Sequence, residues 1–304
     1  MLAIVLAFFA GAGAVPRRPP ILGVAHIEFR SANPGQERRF YEDLLGFPRV
    51  QHGATAQFLI NPKQSVEIVS EPTPKGADRL VNVAFETTDA RALRDYLAAR
   101  GIAVPGQISE EPDGSLGFAV RDPENHTVEF VQLLNPRERA HADWNRRISC
   151  HLLHVGILVQ NRAAEDRFYR GILGFREIWH GGMKPGETDW VDMEVPDGSD
   201  WVEYMLHVKR PDAQTLGVMH HFALAERNVR ASNAELVKRG LSVAPRALPR
   251  TGAPQIGRDG KWQANAYDAD GTRVELMNPV PSRTPCCAPF TGRSARHPPL
   301  CPGQ

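Results

Sequence analysis

Four short segments of the chain alternate apolar and polar residues in the way that is typical of β-strands, and each carries a glutamate between two apolar residues. In a strand, successive side chains point to opposite faces, so each glutamate faces away from its apolar neighbours. The neighbours are expected to anchor a core, while the glutamates enter a different space. The four glutamates are Glu67, Glu129, Glu203 and Glu275.

The chain contains an internal repeat with an offset of 128 residues, from His26 to His154. The segment HIEFRSANPGQERRFYEDLLGFPRV matches the segment HVGILVQNRAAEDRFYRGILGFREI. Each copy predicts a strand, then an amphipathic helix, then further strands that end at one of the glutamates. Shorter versions of this unit begin at Asn82 and at His221. The pattern therefore predicts four strand–helix–strands units and an α+β fold.

The four units pair into two predicted domains, residues 21–136 and 148–280, which a polar segment at 137–147 connects. With 304 residues, 42% hydrophobic and 23% charged, the chain has enough material for two ordinary globular domains. Its net charge is +1 and it contains no basic run. We therefore expect no nucleic-acid partner, and instead a monomer or homodimer that binds a small molecule.

The two ends of the chain differ from the repeats. Residues 1–14 combine an apolar stretch too short to cross a bilayer with small residues at its end, which is the pattern of a signal peptide. We expect an exported protein, periplasmic or extracellular, without a stable membrane span; a cytoplasmic protein with a mispredicted start is the alternative. Residues 281–304 lack periodicity and are rich in Pro, Ser, Thr and Arg, which predicts a disordered tail. Export predicts that the four cysteines, Cys150, Cys286, Cys287 and Cys301, are oxidised. The last three lie in the tail, where they can pair with each other.

Each unit contributes one polar residue at the start of its first strand and one glutamate near its end. Two histidines and two carboxylates are the ligands that suit Fe, Ni, Mn, Co or Zn, with positions left open for a substrate. The second half offers that full set: His154, Glu203, His221 and Glu275. The adjacent His220 points to the other face of its strand, so we expect a structural role for it.

The first half offers a different set of residues at the equivalent positions. Three of them, His26, Glu67 and Glu129, repeat the pattern of the second half, but Asn82 replaces the second histidine. An amide is a poor ligand for such a metal, so we expect this site to be degenerate. One divalent transition metal is therefore predicted, in residues 148–280.

The segments FYRGILGF, HFALA and DADGTRVEL resemble the vicinal oxygen chelate superfamily, which includes glyoxalase I, extradiol dioxygenases, 4-hydroxyphenylpyruvate dioxygenase, epimerases and fosfomycin-resistance proteins. The resemblance covers nearly all of residues 21–280. It implies two domains, each of paired βαβββ modules that form a cupped mixed β-sheet with helices outside, around one divalent metal.

In glyoxalase I the modules supply His or Gln, Glu, His and Glu, and the four residues of the second half match those places. The resemblance thus implies a lyase or isomerase in which the metal stabilises an enediolate, while Glu203 or Glu275 shuttles a proton. An extradiol dioxygenase would hold iron or manganese with His154, His221 and Glu275, but the acid–base tyrosine of that family falls near Asn265. The resemblance is also compatible with a dioxygenase like the 4-hydroxyphenylpyruvate enzyme and with a non-catalytic binding protein.

Three cations lie in glycine-rich segments that are predicted to be loops at the mouth of the cup: Lys184, Arg258 and Lys261. They are placed to hold an anionic substrate, although solvated loop charges are the more common case. His207 is similarly open to two interpretations, as an active-site residue or as a surface residue at the end of a strand.

Overall fold

The computed structural model describes residues 16–73, 77–111, 114–134, 142–293 and 300–301. The predicted signal peptide lies outside these ranges, so its cleavage and the export of the protein stay predictions. No helix in the described ranges combines the length and the apolar character that crossing a membrane requires.

The first half of the chain forms one mixed eight-stranded sheet. Its strands are β1 (Ile21–Ser31), β2 (Arg49–His52), β3 (Thr55–Asn61), β4 (Gln64–Ser70), β5 (Leu80–Thr87), β6 (Ser109–Glu110), β7 (Leu116–Arg121) and β8 (Thr127–Gln132). They are ordered β2-β3-β4-β1-β5-β8-β7-β6 across the sheet. The first strand of each module, β1 and β5, pairs in parallel with the last strand of the same module, and β1 and β5 meet as antiparallel neighbours.

The second half repeats this arrangement in a nine-stranded sheet, with the order β10-β11-β12-β9-β13-β17-β16-β14 and with β15 paired to β16. Its strands are β9 (Leu152–Leu158), β10 (Arg176–Gly181), β11 (Trp190–Glu194), β12 (Trp201–Met205), β13 (His221–Ala225), β14 (Arg250–Thr251), β15 (Gln255–Ile256), β16 (Trp262–Tyr267) and β17 (Arg273–Met277). Two repeated halves built from βαβββ modules confirm the predicted α+β fold.

Short helices follow the first strand of each module, and one further helix lies between β12 and β13. They are α1 (Pro34–Arg38), α2 (Arg39–Leu44), α3 (Ala90–Ala99), α4 (Arg162–Glu165), α5 (Asp166–Ile172), α6 (Ala213–Met219) and α7 (Val229–Lys238). The repeated Phe-Tyr segments lie in α2 and α5, which have π-helical hydrogen bonding. Gly46 and Gly174 then reverse the chain with φ of +77° and +82°, a conformation that glycine adopts without strain.

One apolar core joins the helices to the outer faces of both sheets. In β9, Val155 and Ile157 belong to this core, whereas His154 and Gly156 lie on the opposite face because side chains alternate along a strand. The fold therefore leaves the inner face of each sheet for the polar residues that the sequence singled out.

The described part of the tail has no helix or strand, but it packs against the second half. The ring of Phe290 stacks on Trp179 with the centroids 5.8 Å apart, and Trp179 Nε1 donates to the carbonyl of Cys286 at 3.1 Å. The backbone N–H of Thr291 donates to the carbonyl of Ile178 at 3.0 Å. Disorder is therefore the wrong expectation for residues 281–293, because aromatic and backbone contacts that composition does not reveal hold them in place.

All four cysteines form disulfides in the described residues. Cys286 pairs with its neighbour Cys287, and Cys301 pairs with Cys150, which precedes β9. One tail cysteine thus bonds outside the tail and ties the end of the chain to the start of the second half.

Candidate metal centre

Four neighbouring strands of the second sheet, in the order β12-β9-β13-β17, bring the four predicted metal ligands together. Glu203 lies on β12, His154 on β9, His221 on β13 and Glu275 on β17. The strand register places His221 opposite Gly156 and Ala223 opposite both His154 and Glu275. All four side chains therefore meet on the inner face of the sheet.

The distances between their donor atoms suit a single metal ion. Nε2 of His221 lies 3.2 Å from Nε2 of His154 and 3.1 Å from Oε2 of Glu203. The carboxylate of Glu275 lies 3.7 Å from His154 Nε2 and 3.9 Å from His221 Nε2. Ligands at about 2.0–2.2 Å from a tetrahedral ion are roughly 3.3–3.6 Å from one another. One donor atom each of His154, Glu203 and His221 thus lies close enough to the others to share an ion, and the Glu275 carboxylate lies beside them.

A glycine makes room for one of the histidines. A Cβ atom at Gly156 would lie 1.9 Å from Cε1 of His221, so no other residue fits there unless the ring moves. Nδ1 of His221 donates to the carbonyl of Met219 at 2.8 Å, which fixes the ring and leaves Nε2 with its lone pair toward the cluster. Sequence reasoning missed Gly156, although the offset of the repeat would have shown that Glu28 occupies the equivalent position.

Burial sets the charge state of the cluster. Both histidines are fully buried. Burial, together with the nearby Arg273 guanidinium, lowers the pKa of His221 to about 3. Burial and the neighbouring His221 hold the pKa of His154 well below its usual range. Burial also raises the pKa values of Glu203 and Glu275. The imidazoles are therefore neutral at physiological pH, which is the form that binds metals.

A partly buried arginine lies beside the cluster. Nη2 of Arg273 lies 2.8 Å from Nε2 of His221, and its Nη1 lies 3.3 Å from the carboxylate of Glu275. Arg273 precedes Glu275 by two residues on the same strand, so strand alternation predicts that both side chains face the site. The guanidinium compensates the carboxylates, and it must turn away from His221 when an ion binds there.

Lys261 also lies inside the molecule and not in a loop at its mouth. The side chain is fully buried, and its Nζ lies 4.2 Å from the ring centroids of both Trp201 and Phe290. A cation between two aromatic faces is stabilised by the negative charge density of both rings. The expected solvated loop charge is therefore wrong for Lys261, because the aromatic rings replace water around its ammonium group.

The tail covers the side of the candidate metal centre on which Lys261 lies. Phe290 packs on Lys261, Lys261 packs on Trp201, and the Trp201 ring lies 4.9 Å from the ring of His154. These successive contacts shield the ligand cluster from water. A substrate that enters from this side must displace the tail.

The remaining candidates of the second half lie outside the cluster. Nδ1 of His220 is 2.7 Å from the carboxylate of Asp78, on the side that faces the first half. His207 packs against the Trp190 ring at 5.6 Å. Lys184 is exposed and pairs with Glu187 at 3.6 Å, and Arg258 donates to the carbonyl of Gly182. Asn265, where the resemblance would place a tyrosine, lies opposite Glu275 in the strand register.

A second group of histidine and carboxylate side chains was not expected from the sequence. Asp122, His126 and Glu165 lie close enough to share an ion, at the junction of the two halves. The carboxylate of Glu165 accepts from the backbone N–H of Glu124 across this junction, and Glu37 accepts from Asp270 N–H at the equivalent place. Because the repeat uses both contacts to join the halves, we interpret this group as structural.

The first half brings its predicted residues together in a different way. His26 Nδ1 lies 3.5 Å from Glu67 and His26 Nε2 lies 3.2 Å from Glu129, so the ring is placed between two carboxylates. Asn82 donates to the carboxylate of Glu28 at 2.9 Å. This arrangement borders a cavity of about 320 Å³.

Solved structures of similar fold include dioxygenases. An extradiol ring-cleaving dioxygenase from B. fuscum shares 18% identity, with a TM-score of 0.67 over 88% of this chain and 74% of that one. The 2,3-dioxygenase LapB from Pseudomonas sp. KL28 shares 17% identity, with a TM-score of 0.63 over 88% of this chain and 97% of that one. Homoprotocatechuate 2,3-dioxygenase from Brevibacterium fuscum, in complex with 3,4-dihydroxyphenylacetate, shares 17% identity, with a TM-score of 0.63 over 88% and 82%. At these identities the likeness shows the fold alone.

The sequence comparisons agree with the fold. No curated protein matches the chain. A family model described as Glyoxalase/Bleomycin resistance protein/Dioxygenase superfamily matches residues 23–130 and 151–276, one region in each half. This match covers most of the chain and both copies of the repeat, and it confirms the resemblance seen in the sequence. The chain therefore belongs to the glyoxalase, bleomycin resistance protein and dioxygenase superfamily.

Proposed function

We propose that the protein is a divalent-metal-dependent enzyme that catalyses a redox-neutral lyase or isomerase reaction on a small oxygenated substrate. The observation that carries the proposal is the fourth donor. Glu203 Oε2 is 3.1 Å from His221 Nε2, closer than the carboxylate of Glu275. A cluster of two histidines and two glutamates matches the lyase and isomerase pattern, whereas an extradiol dioxygenase needs only one glutamate.

The donor set fits a transition metal, and His154, Glu203, His221 and Glu275 would hold it. Neutral imidazoles and carboxylates are the ligands of Fe, Ni, Mn, Co and Zn. The bound ion would supply Lewis acidity and polarise the oxygen atoms of the substrate, which makes an adjacent C–H group more acidic.

The chain's own residues would move the proton. Burial raises the pKa values of both Glu203 and Glu275, so either carboxylate is suited to take a proton from one carbon and return it to its neighbour. Arg273, which contacts Glu275, offers N–H donors to negative charge that develops on the substrate. The tail, together with Lys261 and the two aromatic rings that it contacts, would exclude water during the proton transfer.

A dioxygenase is the second candidate, and the similar solved structures favour it. In that case His154, His221 and Glu275 would hold iron, and Glu203 would accept hydrogen bonds beside them. Asn265 counts against this reaction because it cannot act as the acid–base group that the resemblance places there as a tyrosine.

The first experiment is elemental analysis of the purified protein without added metal, with oxygen uptake followed on a panel of catechols. Near-stoichiometric zinc, nickel, cobalt or manganese without uptake supports the proposal. Near-stoichiometric iron with uptake supports the dioxygenase instead. A protein that neither carries nor takes up a metal contradicts both and leaves a non-catalytic binding protein.

A pair of variants separates the two reactions further. Glu203→Gln removes one carboxylate ligand and should therefore weaken metal binding about tenfold or more. Glu187→Gln, which changes an exposed glutamate of the same half, is the matched control and should bind metal normally. Full metal retention by Glu203→Gln contradicts the four-ligand site and favours the site of two histidines and one glutamate.

A further inference from the structure

The inner face of the first sheet contains an open cavity, whereas Lys261, Arg273 and the tail fill the equivalent region of the second half. The cavity has a volume of about 320 Å³, within the range of sites for small molecules. Its walls contain several carboxylates and amides, and Lys63, which also lines it, pairs with Glu86 at 2.6 Å. The lining residues that matter here are His26, Glu28, Gln57, Glu67, Asn82 and Glu129.

One exchange in the repeat explains why this cavity differs from the metal centre. In the second half, Gly156 leaves the space that the His221 ring occupies. In the first half, the position of Gly156 carries Glu28, and the position of His221 carries Asn82, which donates to the Glu28 carboxylate. A carboxylate and an amide thus replace the glycine and the second histidine.

Both nitrogens of the remaining histidine face carboxylates. Nδ1 of His26 faces Glu67 and Nε2 faces Glu129, so both nitrogens act as donors. Burial alone would lower the pKa of His26, but the surrounding carboxylates raise it to about 10. An imidazolium has no lone pair for a transition metal, so metal binding at His26 would first require loss of this proton.

Two buried acceptors in the cavity have no partner. Asn82 is only 9% exposed. Its Nδ2 donates to the Glu28 carboxylate, whereas its Oδ1 accepts no hydrogen bond. Oε1 of Gln57 is likewise buried without a partner, while its amide donates to Glu67 at 2.9 Å. Buried acceptors are normally paired, so these two atoms indicate where a ligand with N–H groups would bond.

We propose that this cavity binds a small organic cation, an amine or a guanidinium. The ligand would donate N–H groups to the Glu28 carboxylate, to Asn82 Oδ1 and to Gln57 Oε1. Its positive charge would offset the three carboxylates of Glu28, Glu67 and Glu129, of which His26 compensates one. The site lies apart from the metal centre and does not depend on the reaction that occurs there.

Calorimetric titration of the full chain, with its metal loaded, tests this proposal. The probes are benzylammonium and n-butylguanidinium, with benzyl alcohol as the neutral analogue. We expect saturable binding of one or both cations, weaker binding as NaCl is raised, and no binding of the alcohol. Binding of the alcohol with equal affinity, or of neither cation, overturns the proposal.

Glu28→Gln is the diagnostic variant because it removes the charge and keeps the shape. It should weaken binding of the cation at least tenfold, while Glu71→Gln, at an exposed glutamate beside the end of β4, should change it less than twofold. Burial raises the pKa of Glu28 to about 7, so cation binding at pH 7 should release protons in the wild type and not in Glu28→Gln. Equal affinity and proton release in both proteins would refute the role of Glu28.

Two further measurements keep the result interpretable. If Glu28→Gln does not fold, Asn82→Ala replaces it with the same expected loss of affinity. Titration with Mn²⁺ and Ca²⁺ tests whether the cavity binds a metal ion instead. A metal ion that competes with the organic cation for the cavity would overturn the proposal. No competition is the expected result.

Discussion

Replacing Gly156 with alanine tests the metal centre through one methyl group. The new Cβ would lie 1.9 Å from Cε1 and 2.1 Å from Nδ1 of His221, whereas ordinary contacts begin at 3.4 Å. The ring must therefore move by about 1.5 Å, the difference between 3.4 and 1.9 Å. Metal–ligand distances tolerate only about 0.2 Å of change.

Such a shift would remove His221 from the ligand set and break its hydrogen bond to Met219. Losing a residue that only supports a ligand costs about 10–100-fold in metal affinity, so losing the ligand itself should cost at least ~100-fold. Overpacking adds a loss of about 1–3 kcal/mol in the free energy of unfolding. We expect Gly156→Ala to fold and to lack the metal.

The assay is metal content after dialysis against a chelator and reloading, combined with thermal unfolding. Gly171→Ala is the matched control, since Gly171 lies in α5 of the same half and its nearest neighbour to a new Cβ is 3.8 Å away. The control should bind metal normally and gain up to about 1 kcal/mol in stability. Metal binding by Gly156→Ala that equals the control would refute the assignment of His221 as a ligand.

Three further predictions concern particular side chains. His221→Ala should abolish metal binding while His220→Ala keeps most of it, as metal analysis would show; equal retention contradicts the assignment. Phe290→Ala should speed removal of the metal by a chelator about tenfold, because a partly buried ring contributes ~1–2 kcal/mol to holding the tail; an unchanged rate would mean that the tail is not the barrier. His26, with a folded pKa of about 10 above the unfolded ~6.5, stabilises the protein fully below pH 6.5 and loses this effect as the pH rises toward 10. His26→Gln should therefore lose less unfolding free energy between pH 7 and pH 10 than the wild type, and equal losses in chemical denaturation would contradict this.

The repeat made the fold and most of the candidate centre predictable. His154 and Glu275 are far apart in the sequence, yet each occupies a fixed position within its module, and equivalent positions of paired modules meet on adjacent strands. Strand alternation then determines which face each side chain takes. These two regularities need no knowledge of the packing, and so they can be recognised in one sequence.

Other parts of the site depend on contacts that no local pattern encodes. The burial of Lys261 results from its contacts with Trp201 and Phe290, and the three residues lie in separate segments of the chain. The order of the tail results from stacking on Trp179 and from the disulfide between Cys301 and Cys150. A glycine-rich loop and a proline-rich tail have the composition of solvated segments, and only tertiary packing overrides it.

The two halves give one histidine position two opposite pKa shifts within the same fold. His154 and His26 begin equivalent strands, but the pKa of His154 is lowered and that of His26 is raised. The second half surrounds its histidine with His221, Lys261 and Arg273, whereas the first half carries Thr127 at the position of Arg273 and Asn82 at that of His221. Without those neighbouring groups, the carboxylates around His26 favour the imidazolium. The expected difference in metal binding between the halves therefore rests on the neighbours of the histidine as much as on the replaced ligand, and the carboxylates around His26 border the cavity that we propose for a cation.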